Sequence, residues 1–456
     1  MLETMLEEVK LMIEERKFSK LKKYLEDFNS ADIPWFFEEL NDEEIILVFR
    51  LLSKDVAAEV FVELEPDLQE KLIGFFTERE LKAVMDELFM DDTVDLIEEM
   101  PANVVKRILK HINKEDRKTI NELLRYPEDS AGSIMTTEFV DLKENMLVED
   151  AFREIKKDCV NKETIYNCYV LSLTRKIVGV IDLKTLLLAD KKDKIKDIMD
   201  ENVIKIYTLE DKEEVAKMFD KYDEYALPVV DNEERLVGII TVDDAIDVMQ
   251  EQTSEDIEKM AAILPSEKTY LKTGIFETFK SRIPWLLFLM ISATFTGAII
   301  SSFEARLAQC IALVAFIPML MGTGGNAGSQ TSVSVIRALS LGDIEFKDIF
   351  KVIWKELRVS LIIGIVLGVI NFAKLYLVDF LWLHTFDTGV ELAQMATICL
   401  TLIFVIIVAK MLGAVLPIVA KKMGLDPAVM ASPLVTTILD AVSLLIYFGI
   451  AAILVL

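Results

Sequence analysis

The sequence is poor in the side chains on which most metal and redox chemistry depends. Its 456 residues include two histidines, His111 and His384, and four cysteines, Cys159, Cys168, Cys310 and Cys399. Neither set has the paired spacing of a zinc site, and the cysteines read as free thiols in a reducing compartment. A phosphate-binding P-loop is missing, and no nucleophile is set beside an activating base, so the chain is read as something other than an enzyme. The first residues, MLETMLEEVKLMIEERK, are amphipathic and lack the apolar core of a signal peptide, which predicts a cytosolic location for this end. Basic charge is also in deficit: 76 acids against 50 bases leave a net charge of −26. Such a surface repels nucleic acid and attracts cations, so no nucleic-acid partner and no obligate protein partner is expected.

A hydrophobic content of 52% does not fit that charge in one domain. From Ile283 onward there are 10 acids and 10 bases, whereas residues 1–282 hold 66 acids and 40 bases. The first part therefore reads as an acidic soluble protein and the second as a neutral membrane protein.

Residues 1–129 are helical by pattern, with apolar positions recurring at three and four, as in Leu81, Val84, Met85 and Leu88. Pro66 and Pro101 punctuate short helices, and loosely self-similar segments suggest stacked helical hairpins. The acids Glu59, Asp91, Asp92 and Asp95 are placed at helix starts, where N-capping accounts for them. Residues 130–252 hold an internal repeat. Ser133-Ile134-Met135 is echoed by Asp197-Ile198-Met199, and KIVGVIDLKTLLL by RLVGIITVDDAID. Each copy reads strand–helix–strand–strand–helix, with boundaries near 130–192 and 193–252. This resembles a tandem pair of CBS domains, an α/β sensor module often responsive to adenine nucleotides. The resemblance implies a nucleotide contact through Thr241 and Asp244 in the second copy; the first has Asp182 and Thr185 in those places. ATP is thus a candidate ligand. Residues 253–282 read as a connecting helix, with Thr253 or Ser254 as its cap.

Five apolar spans follow, near 283–303, 307–336, 359–381, 393–416 and 428–456, so residues 283–456 form an all-α membrane domain in a lipid bilayer. The connections between spans two and three and between four and five carry Lys and Arg. The connection between three and four carries none, which places the N-terminus in the cytosol and Leu456 outside. In span two, IPMLMGTGGNAGSQTSVSVIRAL, Gly322, Gly324, Gly325 and Gly328 predict a broken backbone whose carbonyls, with Asn326 and Gln330, line a cavity; a close helix crossing is the other reading. The last span carries one ionised residue. From Ala428, 12 residues of helix put Asp440 roughly 18 Å in, near the bilayer midplane. Ser432, Thr436, Asp440 and Ser443 recur at spacings of 4, 4 and 3, a single polar stripe. A carboxylate at that depth costs at least about 2.5 kcal/mol and needs water or a partner, so the stripe is read as the wall of an ion path.

PMLMGTGGNAGSQ, the run GLDPAVMASPLVTTILDAVSLLIYF and the order acidic helical–CBS–CBS–membrane resemble the MgtE-type magnesium channels over essentially the whole chain. The resemblance implies a homodimer in the cell (inner) membrane, five spans per subunit, and one pore on the two-fold axis. It implies Mg²⁺ as the transported ion, held hydrated at Asp440 with Thr436, Asn326 and Gly325. It implies that the connecting segment is a plug helix that closes the pore when cytosolic Mg²⁺ is high. Regulatory Mg²⁺ positions carry over to Glu59, Asp91, Asp95, Asp223, Asp244, Asp247, Glu255 and Asp256, with Asp426 at the pore mouth. Gln252 stands where an acid can occur, and Ser329 and Ser432 where some pores have asparagine. The alternative is a CBS-regulated secondary transporter of another divalent cation, Co²⁺, Mn²⁺ or Ni²⁺. Such transporters usually carry inverted repeats, and none is visible in the five spans.

Overall fold

The computed structural model describes residues 2–159, 162–266, 270, 271, 273–308, 310–383, 391–430 and 432–455. His384 lies outside them, as does the side chain of Ser432. The chain divides into two compact units, Met1–Gln250 and Glu251–Leu456.

In the first unit, ten short helices, α1 (Leu2–Glu14) to α10 (Lys114–Leu123), precede the first strand. Their starts are written locally. Asn41 caps α4 (Asp42–Leu51) by accepting from the amides of Glu43 and Glu44 at 3.1 Å, while Glu44 accepts from the Asn41 amide at 3.0 Å. Thr77 and Glu80 form the same box before α7 (Glu78–Met85). Pro66 opens α6 (Pro66–Phe75), and Pro101 precedes α9 (Ala102–His111), where a missing N–H is harmless. One expectation fails here. Glu59 lies late in α5 (Lys54–Val62), exposed, and caps nothing.

The repeat folds as two matching three-stranded sheets. The first joins β1 (Val140–Lys143), β2 (Asn167–Leu171) and β3 (Ile177–Asp182); the second joins β4 (Ile206–Tyr207), β5 (Ala226–Val230) and β6 (Leu236–Thr241). In each, the first pair is parallel and the second antiparallel. Helices α11 (Val148–Asp158), α12 (Leu183–Leu188), α13 (Ile195–Ile198), α14 (Lys212–Tyr222) and α15 (Val242–Met260) complete the module. The leading segments cross over. Thr136 exchanges backbone hydrogen bonds of 2.9 Å with Ile239 of the second sheet, and Asp200 does the same with Val180 of the first. The echoed methionines follow: a Cβ on Gly238 would lie 2.8 Å from the Met135 sulfur, and one on Gly179 would lie 2.5 Å from that of Met199. Each glycine strand is thus closed by the start of the other copy. Helix α15 runs unbroken past residue 252, so Thr253 and Ser254 sit within a helix and cap none.

Among its described residues the second unit holds five stretches long and apolar enough to cross a membrane: Ile275–Ala305, Ile311–Ser340, Phe346–Phe380, Leu392–Lys422 and Pro427–Leu454. They contain α16 (Ile275–Leu307), α17 (Ile317–Ser340), α18 (Ile349–Lys374), α19 (Glu391–Lys422) and α20 (Ser432–Leu454). Helix α17 packs on α19 and α20, α18 on α19, and α16 on α20. The expected break in span two is absent: α17 is continuous through every glycine. The glycines instead let helices touch. A Cβ on Gly324 would lie 2.6 Å from Val405 and 2.8 Å from the Ser443 hydroxyl, and one on Gly325 would lie 2.9 Å from Thr436. Gly413 of α19 is pressed against the Gly328 carbonyl, so a side chain there would collide with backbone. Gly413→Val is expected to cost at least about 3 kcal/mol or to prevent assembly. Gly322→Ala, which meets nothing within 4 Å, should be nearly silent. Melting temperatures in detergent compare the two.

Candidate functional site

Asp440 stands on α20, half-buried. The helix proper begins at Ser432 after a tight turn at Pro427–Met430, so Asp440 is eight residues into it, roughly 12 Å, and not the 18 Å expected from Ala428. Proline is favoured in the first turn, and Pro433 takes that place in α20. Two positions of the stripe, Thr436 and Ser443, lie against α17. The Thr436 hydroxyl is 3.4 Å from that of Ser329, Thr436 also covers Gly325, and Ser443 covers Gly324. Ser443 is buried, Thr436 half-buried, and Asn326, beside Gly325, is exposed. Among the described residues no group hydrogen-bonds to the Asp440 carboxylate. A lone carboxylate on a span thus sits between two polar positions of its own stripe, next to a glycine-faced helix.

The residue expected at the pore mouth, Asp426, has close partners. Asp426 caps the turn before α20 by accepting from the Ala428 amide at 2.8 Å. Its other oxygen is 2.7 Å from Lys259 Nζ, which is 2.6 Å from Glu255. Burial disfavours the Lys259 charge, but Asp426 and Glu255 outweigh it and hold the ammonium above its ordinary range. A lysine, unremarked in the sequence, therefore bridges two carboxylates that were each expected to be a metal ligand. Asp256, next to Glu255 on α15, is half-buried.

In the first unit, acids from three distant segments converge. Asp91 and Asp92 open α8 (Met90–Glu99), and Asp95 follows one turn later. Asp244 lies in the first turn of α15, where it accepts from the Thr241 hydroxyl at 2.6 Å and the Thr241 amide at 3.2 Å. Glu138 accepts from the Met90 amide at 2.8 Å, and the Glu163 amide donates to the Glu138 carbonyl at 2.9 Å. Burial raises Asp91 to about 6, with repulsion from Glu138 and Asp243 adding to it, and raises Asp244 to about 7, with Asp91 and Asp243 adding to it. Burial, then Asp91, Asp95 and Asp244, raise Asp92 to about 8. Asp95 keeps more solvent access, yet lost water and Asp91, Glu98 and Asp244 still lift it to about 7. Glu163 rises to about 8, from burial and then from Asp91, Asp92, Asp243 and Asp244. Near neutral pH, without a counter-cation, these groups resist being ionised together. Carboxylate oxygens are the hard donors Mg²⁺ prefers, and the set contains no sulfur or imidazole. Among the described residues no three acidic, histidine or cysteine side chains are drawn close enough to hold a metal ion, so such an ion would have to gather them. Asp247 is exposed on α15 and is raised by burial and by Asp243. Glu59 is exposed, and Asp223, also exposed, closes α14 in a left-handed conformation with φ 53°.

Comparison with known proteins gives the family. A family described as divalent cation transporter matches residues 317–450, the MgtE intracellular N domain matches 28–129, and the CBS domain matches 131–192 and 195–251. The magnesium transporter MgtE of Thermus thermophilus is 34% identical over 438 residues, 95% of each chain. The chain belongs to the MgtE family. MgtE of Bacillus subtilis is 32% identical over 441 residues, 97% of this chain and 95% of that one. Among solved structures, the cytosolic domain of the Mg²⁺ channel MgtE in complex with ATP is 35% identical, with a TM-score of 0.51 over 53% of this chain and 98% of that one. The soluble part of a magnesium transporter is 29% identical, with a TM-score of 0.52 over 55% and 99%.

Within this MgtE chain, sequence reasoning missed Glu138, Glu163 and Asp243 and took Asp92 for a cap alone. No spacing joins acids separated by up to 153 positions. It also passed over Lys410, a lone cation in an apolar span, where the signal was present.

Proposed function

We propose that this protein is a homodimeric Mg²⁺ channel of the cell membrane, cytosolic at its N-terminus and CBS pair, and closed by Mg²⁺ from the cytosolic side. The observation that carries the reading is the carboxylate of Asp440, bonded to no described group, on a span whose Thr436 and Ser443 meet the glycine-rich helix. In a dimer the two Asp440 side chains, with Thr436, Asn326 and Gly325 beside them, would offer a hydrated ion two charges and several oxygens. That suits Mg²⁺, which sheds water reluctantly. A potential of about 100 mV favours entry of a doubly charged ion by about 4.6 kcal/mol, so uptake needs no coupled reaction.

Closure follows from repulsion. Without Mg²⁺, Asp91, Asp92, Asp95 and Asp244 repel; a divalent cation replaces repulsion with bridging and favours the compact state. Glu59, Asp223 and Asp247, exposed in one subunit, would complete sites at surfaces that closure brings together. At the pore mouth Lys259 already ties α15 to Asp426, and Mg²⁺ at Glu255, Asp256 and Asp426 would strengthen the same attachment. ATP is a second regulatory ligand in this reading, through Thr241 and Asp244.

The test is current through the purified protein in proteoliposomes. Mg²⁺ should flow with no Na⁺ or H⁺ gradient, reverse at the Mg²⁺ equilibrium potential and fall as Mg²⁺ rises on the cytosolic side. Flux that requires an opposing Na⁺ or H⁺ gradient would overturn the channel reading in favour of a coupled transporter.

A further inference from the structure

Three helices of the membrane unit meet at a buried polar knot outside the ion path. Lys410 of α19 is 5% exposed, and its Nζ donates to the Thr331 hydroxyl of α17 at 2.8 Å and to Glu356 of α18 at 3.3 Å. The Thr331 hydroxyl, 2% exposed, donates in turn to the same Glu356 oxygen at 3.1 Å. Lys410 lies 12 residues before the end of α19, about 18 Å of helix, too deep for its ammonium to reach the interface. An apolar trio would fill this space without the desolvation cost of two charges, and a buried pair is weak evidence for stability. Its use must lie elsewhere.

The place of Thr331 on α17 indicates that use. Two residues earlier, Ser329 meets Thr436 of the ion path; one residue later, Ser332 donates to the Met430 carbonyl at 3.0 Å, at the turn leading into α20. Around them α17 presents glycines to its neighbours. Glycine faces permit close approach but supply no ridges to fix rotation about the helix axis. A directional bond from Thr331 to an immobile ion pair supplies that key. A rotation of about 20° would displace an atom 5 Å from the axis by about 1.7 Å, enough to change which groups a hydrated ion meets. We propose that Lys410 and Glu356, acting through Thr331, are positioning residues that set the rotation of α17 and thereby the cation selectivity of the Asp440 path. This rests on the channel reading above and adds a specificity determinant to it.

Thr331→Val removes the hydroxyl at constant shape, Thr331→Ser keeps it, and Glu356→Gln disrupts the ion pair. Each is reconstituted beside the wild type, whose Mg²⁺ current tests the channel reading independently. Selectivity for Mg²⁺ over Na⁺ and Ca²⁺ is expected to fall about tenfold in Thr331→Val and in Glu356→Gln, within the range of coupling inside one hydrogen-bond network. Thr331→Ser should retain it and melt as the wild type does; all three should elute as the wild type does, while Glu356→Gln, which leaves the Lys410 charge without its counter-ion, should melt lower. If Thr331→Val does not assemble, Glu356→Gln decides alone. Unchanged selectivity in an assembled Thr331→Val or Glu356→Gln protein, with wild-type Mg²⁺ current intact, would leave the knot a packing feature and overturn the proposal.

Discussion

Asp440→Ala is expected to reduce Mg²⁺ flux at least about 100-fold while the protein still assembles. A hydrogen bond to a charged group contributes about 1.5–3 kcal/mol, so losing one from each subunit removes about 3–6 kcal/mol of ion stabilisation, a factor of 10² or more. Assembly should survive because Asp440 bonds to no described neighbour, whereas the faces that join α20 to α17 and α19 are formed by Val435, Thr436, Leu439 and Ser443. Asp440→Asn keeps the volume and should fail almost as completely, which separates charge from shape. The measurement is Mg²⁺ uptake by proteoliposomes together with the elution volume of the purified protein. Wild-type uptake by Asp440→Ala would remove this residue from the ion path.

The second expectation concerns pH and the acidic cluster. Asp91 is raised to about 6, Asp95 and Asp244 to about 7, and Asp92 and Glu163 to about 8. A carboxyl raised on folding contributes stability that is complete below its unfolded value, about 4, and is lost as pH rises through the folded value. Without Mg²⁺ the first unit should therefore weaken progressively between about pH 4 and pH 8. Protons and Mg²⁺ compete for the same oxygens, so Mg²⁺ should stabilise strongly at the upper end of that window and little at the lower. At 100 times its dissociation constant a bound ion adds about 2.7 kcal/mol, a rise of roughly 5–10 °C for a unit of this size. Asp92→Asn combined with Asp244→Asn should melt higher than the wild type at alkaline pH without Mg²⁺, by at least about 1 kcal/mol, because one pKa unit is worth about 1.4. It should also lose most of the Mg²⁺ response. Thermal melts of the full-length protein, with and without millimolar Mg²⁺ at both ends of the window, read out each effect. A Mg²⁺ shift that is equal at both pH values, or unchanged in the double variant, would remove the cluster from cation sensing.

The same chain shows where sequence stops and tertiary structure begins. Helix starts at Pro66 and Pro101, the strand order within each CBS copy, the five apolar spans and the stripe from Thr436 to Ser443 were legible, because each depends on residues only a few positions apart and on the repeat of a helix or strand. The crosswise closure of the two CBS copies was not legible. The echo of Met135 in Met199 signalled a repeat, but a repeat carries no mark of which copy a segment completes. The acidic cluster was legible only in part. Asp91, Asp95 and Asp244 came from a family motif, whereas Glu138 and Glu163 reached the site through the fold alone. The glycines of α17 are the sharpest case. Their low helix propensity predicted a break, but propensity is a weak prior that packing overrides. Once α19 and α20 press against Gly324, Gly325 and Gly328, missing side chains become room for neighbours, and the helix runs straight through. Sequence determined which segments cross the membrane and which carboxylate enters it. Tertiary structure decided which helix Thr436 and Ser443, beside that carboxylate, pack against and which buried charges bond to that helix, because such pairings join residues distant in the chain and leave no period in it.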